Sequence, residues 1–304
     1  MIDALRTPEE RFASLPDFPW APRYVDDLPG YEGLRCAVID EGGDPGRAGR
    51  PTFLCLHGEP TWSYLYRRMI PVFLKSGARV AAPDLFGFGR SDKPTDDAVY
   101  GFHFHRNMLL ALAERLDLRN ITLVVQDWGG LIGLTLPVDE GFRGRLSRLI
   151  VMNTTLATGT PPSEGFLAWR AYARANPDLA VGALIGRGTP HLSEAELAAY
   201  DAPFPDIRYK AGVRAFPERV MTDPGMEGIE ESLAARDFWA RDFRGPAFMA
   251  VGGADMVLGP PVMDELRRSL PTCPEPMLLP EAGHFVQEWG GPIAEAALRS
   301  FASG

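Results

Sequence analysis

Three polar residues stand where apolar runs of strand length stop. Asp127 follows Ile121-Thr122-Leu123-Val124-Val125, Asp255 follows Ala247-Phe248-Met249-Ala250-Val251, and His284 follows Met277-Leu278-Leu279. A carboxylate is already ionised near neutrality and can displace a leaving group from saturated carbon, forming a covalent ester. Only the second step, attack of water on that ester, needs a base. An imidazole oriented by another carboxylate suits that task. Asp127 is distinguished by what comes next: Trp128-Gly129-Gly130 and then the apolar Leu131-Ile132-Gly133. A strand that ends in a reactive side chain, turns on small residues and enters a helix has the layout of a nucleophile elbow, here with Asp in place of Ser. Each residue also has a plainer reading. Asp127 could be an acidic N-cap, Asp255 a cap before the helix starting at Pro260-Pro261, and His284 a hydrogen-bonded core histidine. Taken jointly, their order and their places after strands favour chemistry.

The elements that would position them alternate. Apolar runs at 34–39, 52–56, 79–82, 121–125 and 146–152 read as strands, and helical spacing at 63–74 and 104–116 separates some of them. This alternation predicts a mostly parallel sheet covered on both faces, with functional groups outside the carboxyl ends of its strands. The cluster Gly42-Gly43-Asp44-Pro45-Gly46 marks a turn. From about 154 to 228 no strand is evident, and helical pieces are broken by eight prolines from Pro161-Pro162 to Pro224. That texture predicts a helical cap over 154–228, inserted into a core of residues 1–153 and 229–304. The sheet resumes at 247–251 and 277–279, with helices at 261–270 and 293–301.

Composition excludes other classes. The chain has 304 residues, 45% of them apolar and 23% charged, as in soluble globular proteins. Its net charge of −9 is spread along the sequence, which argues against nucleic acid or an anionic membrane as partner. Cys36, Cys55 and Cys273 lie far apart without metal-ligand spacing, so reduced thiols in a cytoplasmic protein are expected. No signal peptide or bilayer-spanning run is indicated. No metal and no cofactor is expected: there is no phosphate-binding glycine motif, and His103 and His105 lack further ligands at useful spacing. No feature demands a second chain, so a monomer is expected.

The chain resembles the haloalkane dehalogenases of the α/β-hydrolase superfamily, in particular those with a second halide-binding tryptophan in the cap. The resemblance spans nearly the whole chain. It rests on His57-Gly58-Glu59-Pro60-Thr61-Trp62, Asp84-Leu85-Phe86-Gly87-Phe88-Gly89-Arg90-Ser91-Asp92-Lys93-Pro94, Gln126-Asp127-Trp128-Gly129-Gly130, Gly165-Phe166-Leu167-Ala168-Trp169 and Gly283-His284-Phe285-Val286-Gln287-Glu288. The first three are shared in some form with epoxide hydrolases; the elbow tryptophan together with the cap motif is far more specific.

The resemblance implies an α/β-hydrolase fold: an eight-stranded, mostly parallel sheet with helices on both faces and a helical cap inserted after the sixth strand. It implies Asp127 as nucleophile, His284 as base and Asp255 as its partner. The backbone N–H groups of Glu59 and Trp128 would form the oxyanion hole, and the indoles of Trp128 and Trp169 would hold the halide. Phe166, Leu131, Phe216, Pro217, Val220 and Leu258 would line the pocket. The substrates implied are short to medium terminal bromo- and chloroalkanes, with water as the second reactant. Val125, two before the nucleophile, departs from the small residue usual in elbows. An epoxide hydrolase using the same Asp is the alternative: it would need cap tyrosines as donors, and the cap offers Tyr172, Tyr200 and Tyr209. A catalytically inert hydrolase fold used for binding is disfavoured, since all three catalytic positions are filled.

Overall fold

The computed structural model describes residues 2–42 and 49–303. Most of the glycine-rich turn expected at 42–46 lies outside the described residues. Eight strands form the main sheet: β1 (Arg23–Val25), β2 (Cys36–Glu41), β3 (Thr52–Leu56), β4 (Arg79–Pro83), β5 (Ile121–Val125), β6 (Leu146–Met152), β7 (Ala247–Gly252) and β8 (Met277–Leu279). Their spatial order is β8-β7-β6-β5-β3-β4-β2-β1. All neighbours from β8 to β4 pair in parallel, and the pairs β4–β2 and β2–β1 are antiparallel. The central strands β3, β5 and β7 are buried at every residue. That is why they read as continuous apolar runs rather than alternating ones.

Register brings the carboxyl ends of the strands to one edge. Leu56 pairs with Val125, Val125 with Val151, Met152 with Ala250, and Leu279 with Gly252. The loops after β3, β5, β6, β7 and β8 therefore leave the sheet side by side. The connection from β3 runs outward to β4 and then returns across the sheet to β5, so a crevice opens between the ends of β3 and β5.

Helices α1 (Ile70–Lys75), α2 (Phe102–Arg115) and α3 (Asp127–Gly133) connect the first parallel strands. Between β6 and β7 the described residues form helices and no strand: α4 (Glu164–Ala175), α5 (Val181–Gly188), α6 (Glu194–Asp201), α7 (Ala211–Arg219) and α8 (Ile229–Arg241). Helices α9 (Pro260–Arg268) and α10 (Gly290–Ser303) complete the chain. One buried apolar cluster takes in the sheet and also Val181, Ile185, Tyr200 and Phe216 from this helical segment.

Two local expectations change. Residues 63–74 are not one helix but a 3-10 turn at Ser63–Tyr66 followed by α1. Pro71 explains the break, because its ring and missing N–H are tolerated only in a first helical turn. The edge strand β1 was not anticipated; three residues are too few to show a period.

Candidate active site

The sharp turn after β5 is built from the absence of side chains. Asp127 has φ of +50°, a left-handed backbone that non-glycine residues adopt at a cost of about 1–3 kcal/mol. The turn is tied down on both sides: Asp127 N–H donates to Asn153 O at 3.0 Å, and Thr154 Oγ1 donates to Asp127 O at 2.7 Å. A Cβ at Gly129 would lie 2.0 Å from Leu56 O, and one at Gly58 would lie 2.2 Å from Asp127 Oδ1. Only glycine lets α3 start this close to β3 and lets the loop after β3 close on the carboxylate. Val125 finds its room in the same helix, where a Cβ at Gly133 would sit 2.8 Å from Val125 Cγ1.

The Asp127 carboxylate faces two groups. Glu59 N–H donates to Oδ1 at 2.8 Å, and His284 Nε2 lies 3.4 Å from Oδ2. The other ring nitrogen, Nδ1, lies 2.8 Å from Asp255 Oδ2. Asp255 is itself fixed: Oδ1 accepts the N–H groups of Val257 at 2.8 Å and Leu258 at 3.1 Å, and Oδ2 accepts Asn153 Nδ2 at 2.8 Å. Burial works to raise the Asp255 pKa, but the charge and hydrogen bond of His284 outweigh it and hold the carboxyl well below its ordinary value. Burial likewise works to lower the imidazole of His284; Asp255 and then Asp127 reverse the sign, and the net displacement is upward. Trp128 follows in the first turn of α3, where backbone N–H groups have no partner within the helix.

These groups meet at a cavity of about 320 Å³. Asp127, Trp128, Glu59 and His284 line it, with Leu131, Phe166, Trp169, Pro217, Val220 and Leu258. Asp255 stands behind His284, outside the lining. The indole N–H of Trp62 donates to Ala199 O at 3.2 Å and that of Trp239 to Leu134 O at 2.7 Å. No such protein acceptor is found among the described residues for Trp128 or Trp169, and both line the cavity. None of the described lining residues is Tyr, Lys or Arg.

Comparison with known proteins gives the family. Residues 51–291 match the family model of the alpha/beta hydrolase fold. The chain is 41% identical to a haloalkane dehalogenase of Mycolicibacterium paratuberculosis, over 98% of each chain. It is 47% identical to one from Psychrobacter cryohalolentis, over 76% of this chain and 75% of that one. A solved haloalkane dehalogenase from Paraglaciecola agarilytica, described as tetrameric, superposes with a TM-score of 0.95 at 53% identity, covering 99% of each chain. The chain belongs to the haloalkane dehalogenases.

Within this dehalogenase the structure places one expected lining residue elsewhere. Phe216 is buried behind the site, its ring 4.6 Å from that of Trp128 and inclined at 57°. It faces inward on α7, where it supports the indole rather than touching the cavity. Conversely Thr155, Leu156, Val257, Val262 and Phe285 line the cavity and were not anticipated. Asn153 was also missed, although it directly follows β6 at the same sheet edge as Asp127 and Asp255. The rule that selected those two applies to it equally.

Two motif residues are now placed. His57 Nε2 accepts Leu85 N–H at 2.9 Å, so its Nδ1–H donates to Gly58 O at 2.9 Å, and burial pushes its pKa down. It is a neutral strut between loops. The Glu59 side chain is buried at the cavity wall with Oε1 unpaired; burial and then the charge of Asp127 push its pKa well up. His103 pairs with Glu227 and Glu231, and His105 bonds the carbonyls of Gly101 and Phe86. Among the described residues no group of His, Cys, Asp or Glu is arranged to hold a metal ion.

Proposed function

We propose that the chain converts short to medium, uncharged terminal bromo- and chloroalkanes to primary alcohol, halide and proton. Asp127 attacks the halogen-bearing carbon; the carbon–halogen bond breaks and the halide leaves with its electron pair. The alkyl group is then an ester of Asp127. A water oxygen attacks the ester carbonyl carbon while its proton passes to His284 Nε2, and Asp255 steadies the resulting imidazolium. Backbone N–H groups of Glu59 and Trp128 receive the tetrahedral oxyanion; one such donor typically contributes about 3–4 kcal/mol. The intermediate collapses by losing the alkyl oxygen, which takes the proton from His284. Asp127 is regenerated carrying one oxygen of the water.

The halide, in this reading, is held between Trp128 and Trp169. An indole N–H is a donor without acceptor capacity on an apolar body that excludes water, which suits a departing anion that needs no proton. The observation that carries the reading is the pair of indoles lining the cavity without protein acceptors. An epoxide would instead open to an alkoxide that needs an acidic O–H. Tyr200 is engaged with Glu288, Tyr172 receives Arg187, and neither these nor Tyr209 lines the cavity. Lack of Lys and Arg in the lining supports an uncharged substrate.

Residues 154–228 act in this proposal as a cap, delivering Phe166, Trp169, Pro217 and Val220 to a core of 1–153 and 229–304. Every group used comes from one chain, so a monomer suffices for the chemistry even though the Paraglaciecola relative is a tetramer. No helix among the described residues is long and apolar enough to cross a membrane. The three buried, unpaired cysteines support a reducing, cytoplasmic setting.

Halide release from 1,2-dibromoethane and 1-bromobutane, with styrene oxide in parallel, tests the function. Halide and alcohol are expected from the first two and no diol from the third. Diol formation without halide release would favour the epoxide reading.

A further inference from the structure

One buried side chain touches the reacting nitrogen of His284 and has no part in the reaction as described so far. Gln126 is the last residue before the elbow and is fully buried. Its Nε2 lies 2.9 Å from His284 Nε2 and 3.0 Å from the main-chain oxygen of the same histidine. Its Oε1 accepts Gln287 Nε2 at 3.3 Å, from the turn just after His284. The carbonyl fixes the orientation of the amide. A main-chain oxygen can only accept, so the atom facing it must be the amide NH₂. The second hydrogen of that NH₂ then points at His284 Nε2, which can accept it only through its lone pair. The remaining ring proton is placed on Nδ1, toward Asp255.

We infer that Gln126 is a positioning residue that keeps His284 in the neutral Nδ1–H form, with Nε2 unprotonated and held at the nucleophile. The inference rests on the assignment of His284 as the base. It answers a conflict in the site. Three carboxyl groups face the ring: Asp255 at 2.8 Å, Asp127 at 3.4 Å, and Glu59 from the loop after β3. The charges of Asp255 and Asp127 favour an imidazolium, which cannot accept a proton from water. The amide of Gln126 opposes them, because an N–H facing Nε2 favours the lone pair and disfavours a proton there. Esterification removes the charge of Asp127, and the balance then moves further toward the neutral ring. The base is thus released as the ester that needs it forms. When water delivers its proton, the amide N–H must give way, so Gln126 sets how strongly the base holds that proton.

Two substitutions test this in the full-length protein. Gln126→Met keeps length and volume but loses the donor; the pH at which ester hydrolysis reaches half its maximum should rise by about one unit. Gln126→Glu sets a carboxylate against Nε2 and should raise it by about two units. Below that limb hydrolysis falls tenfold per unit, so near neutral pH the alkyl ester on Asp127 should accumulate in both variants while single-turnover halide release stays near the wild-type rate. Nitrogen-15 resonances of the His284 ring should show Nδ1–H and a bare Nε2 in the wild type, and a doubly protonated ring in Gln126→Glu at the same pH. An unshifted hydrolysis limb, or an equally neutral ring in Gln126→Glu, would overturn the inference. So would hydrolysis and alkylation slowing together, since that marks a merely structural role. If the wild type itself releases no halide, the reading of function fails instead, while the nitrogen spectra still decide the state of the ring.

Discussion

Two buried ionic clusters lie four residues apart at the end of β8, and they are built to opposite ends. Around His284, two carboxylates share one imidazole, a third carboxyl stands near, and the cluster opens on the cavity. Around Glu288, two arginines meet two glutamates and the charges cancel. Arg67 bonds both oxygens of Glu288, at 2.6 and 2.8 Å, and Glu196 at 2.8 Å. Arg68 bonds Glu288 at 3.0 Å and Glu196 at 2.6 Å, and Tyr200 donates to Glu288. The second cluster fastens α6 of the helical segment to the core and offers nothing to a ligand. The clusters differ in three respects that bear on reactivity: an excess of one sign, a contact between Asp127 and His284 longer than an ordinary hydrogen bond, and a face left open. Balanced charge makes the same residue types into a clasp.

Substitutions can break or sharpen this contrast. The largest effect belongs to the open cluster. In His284→Ala turnover should fall by about 10²–10⁴-fold, with an alkyl adduct on Asp127 found by mass spectrometry and little change in unfolding free energy. Normal turnover by this variant would remove His284 from the role of base. The closed cluster should respond in the other currency. Arg67→Met leaves two buried carboxylates with Arg68 as their one remaining cation and should cost about 3–5 kcal/mol of stability, read from denaturant unfolding. Turnover per folded molecule should stay within a few-fold; a selective loss of turnover at unchanged stability would erase the distinction between the clusters. A smaller effect is expected at the roof of the cavity. Trp169→Phe keeps a ring but loses the N–H, and a hydrogen bond to a charged group contributes about 1.5–3 kcal/mol. Bromide binding, followed by quenching of tryptophan fluorescence, should weaken by about tenfold or more. Unchanged binding would take Trp169 out of the halide site.

The open cluster was legible in the sequence and the closed one was not, for a physical reason. Asp127 and Asp255 follow strands buried at every residue and His284 follows the short, partly exposed β8, so the strand ends give the positions of the side chains. Arg67, Glu196 and Glu288 sit on short helical pieces far apart in the chain. Nothing in local spacing says that they converge. The same limit explains Phe216: its place on a helical face was set by packing against Trp128, which no local pattern records. Asn153 and Gln126 were legible in principle, one following a strand as Asp255 does and the other inside the elbow motif. Amides do not titrate and so give no sign of chemistry in a sequence, yet here they hydrogen-bond Asp255 and His284. Val125 departs from the elbow pattern in sequence, and in the fold Gly133 leaves it space.

The central claim is that Asp127 carries the alkyl group as an ester and returns it to water through its own carbonyl carbon. A single turnover of 1-bromobutane in water enriched in oxygen-18, with enzyme in excess, tests it directly. The account predicts an unlabelled alcohol, its oxygen coming from Asp127, and one heavy oxygen in the peptide that contains Asp127. A labelled alcohol with an unlabelled peptide would mean that water attacks the substrate directly, and would contradict it.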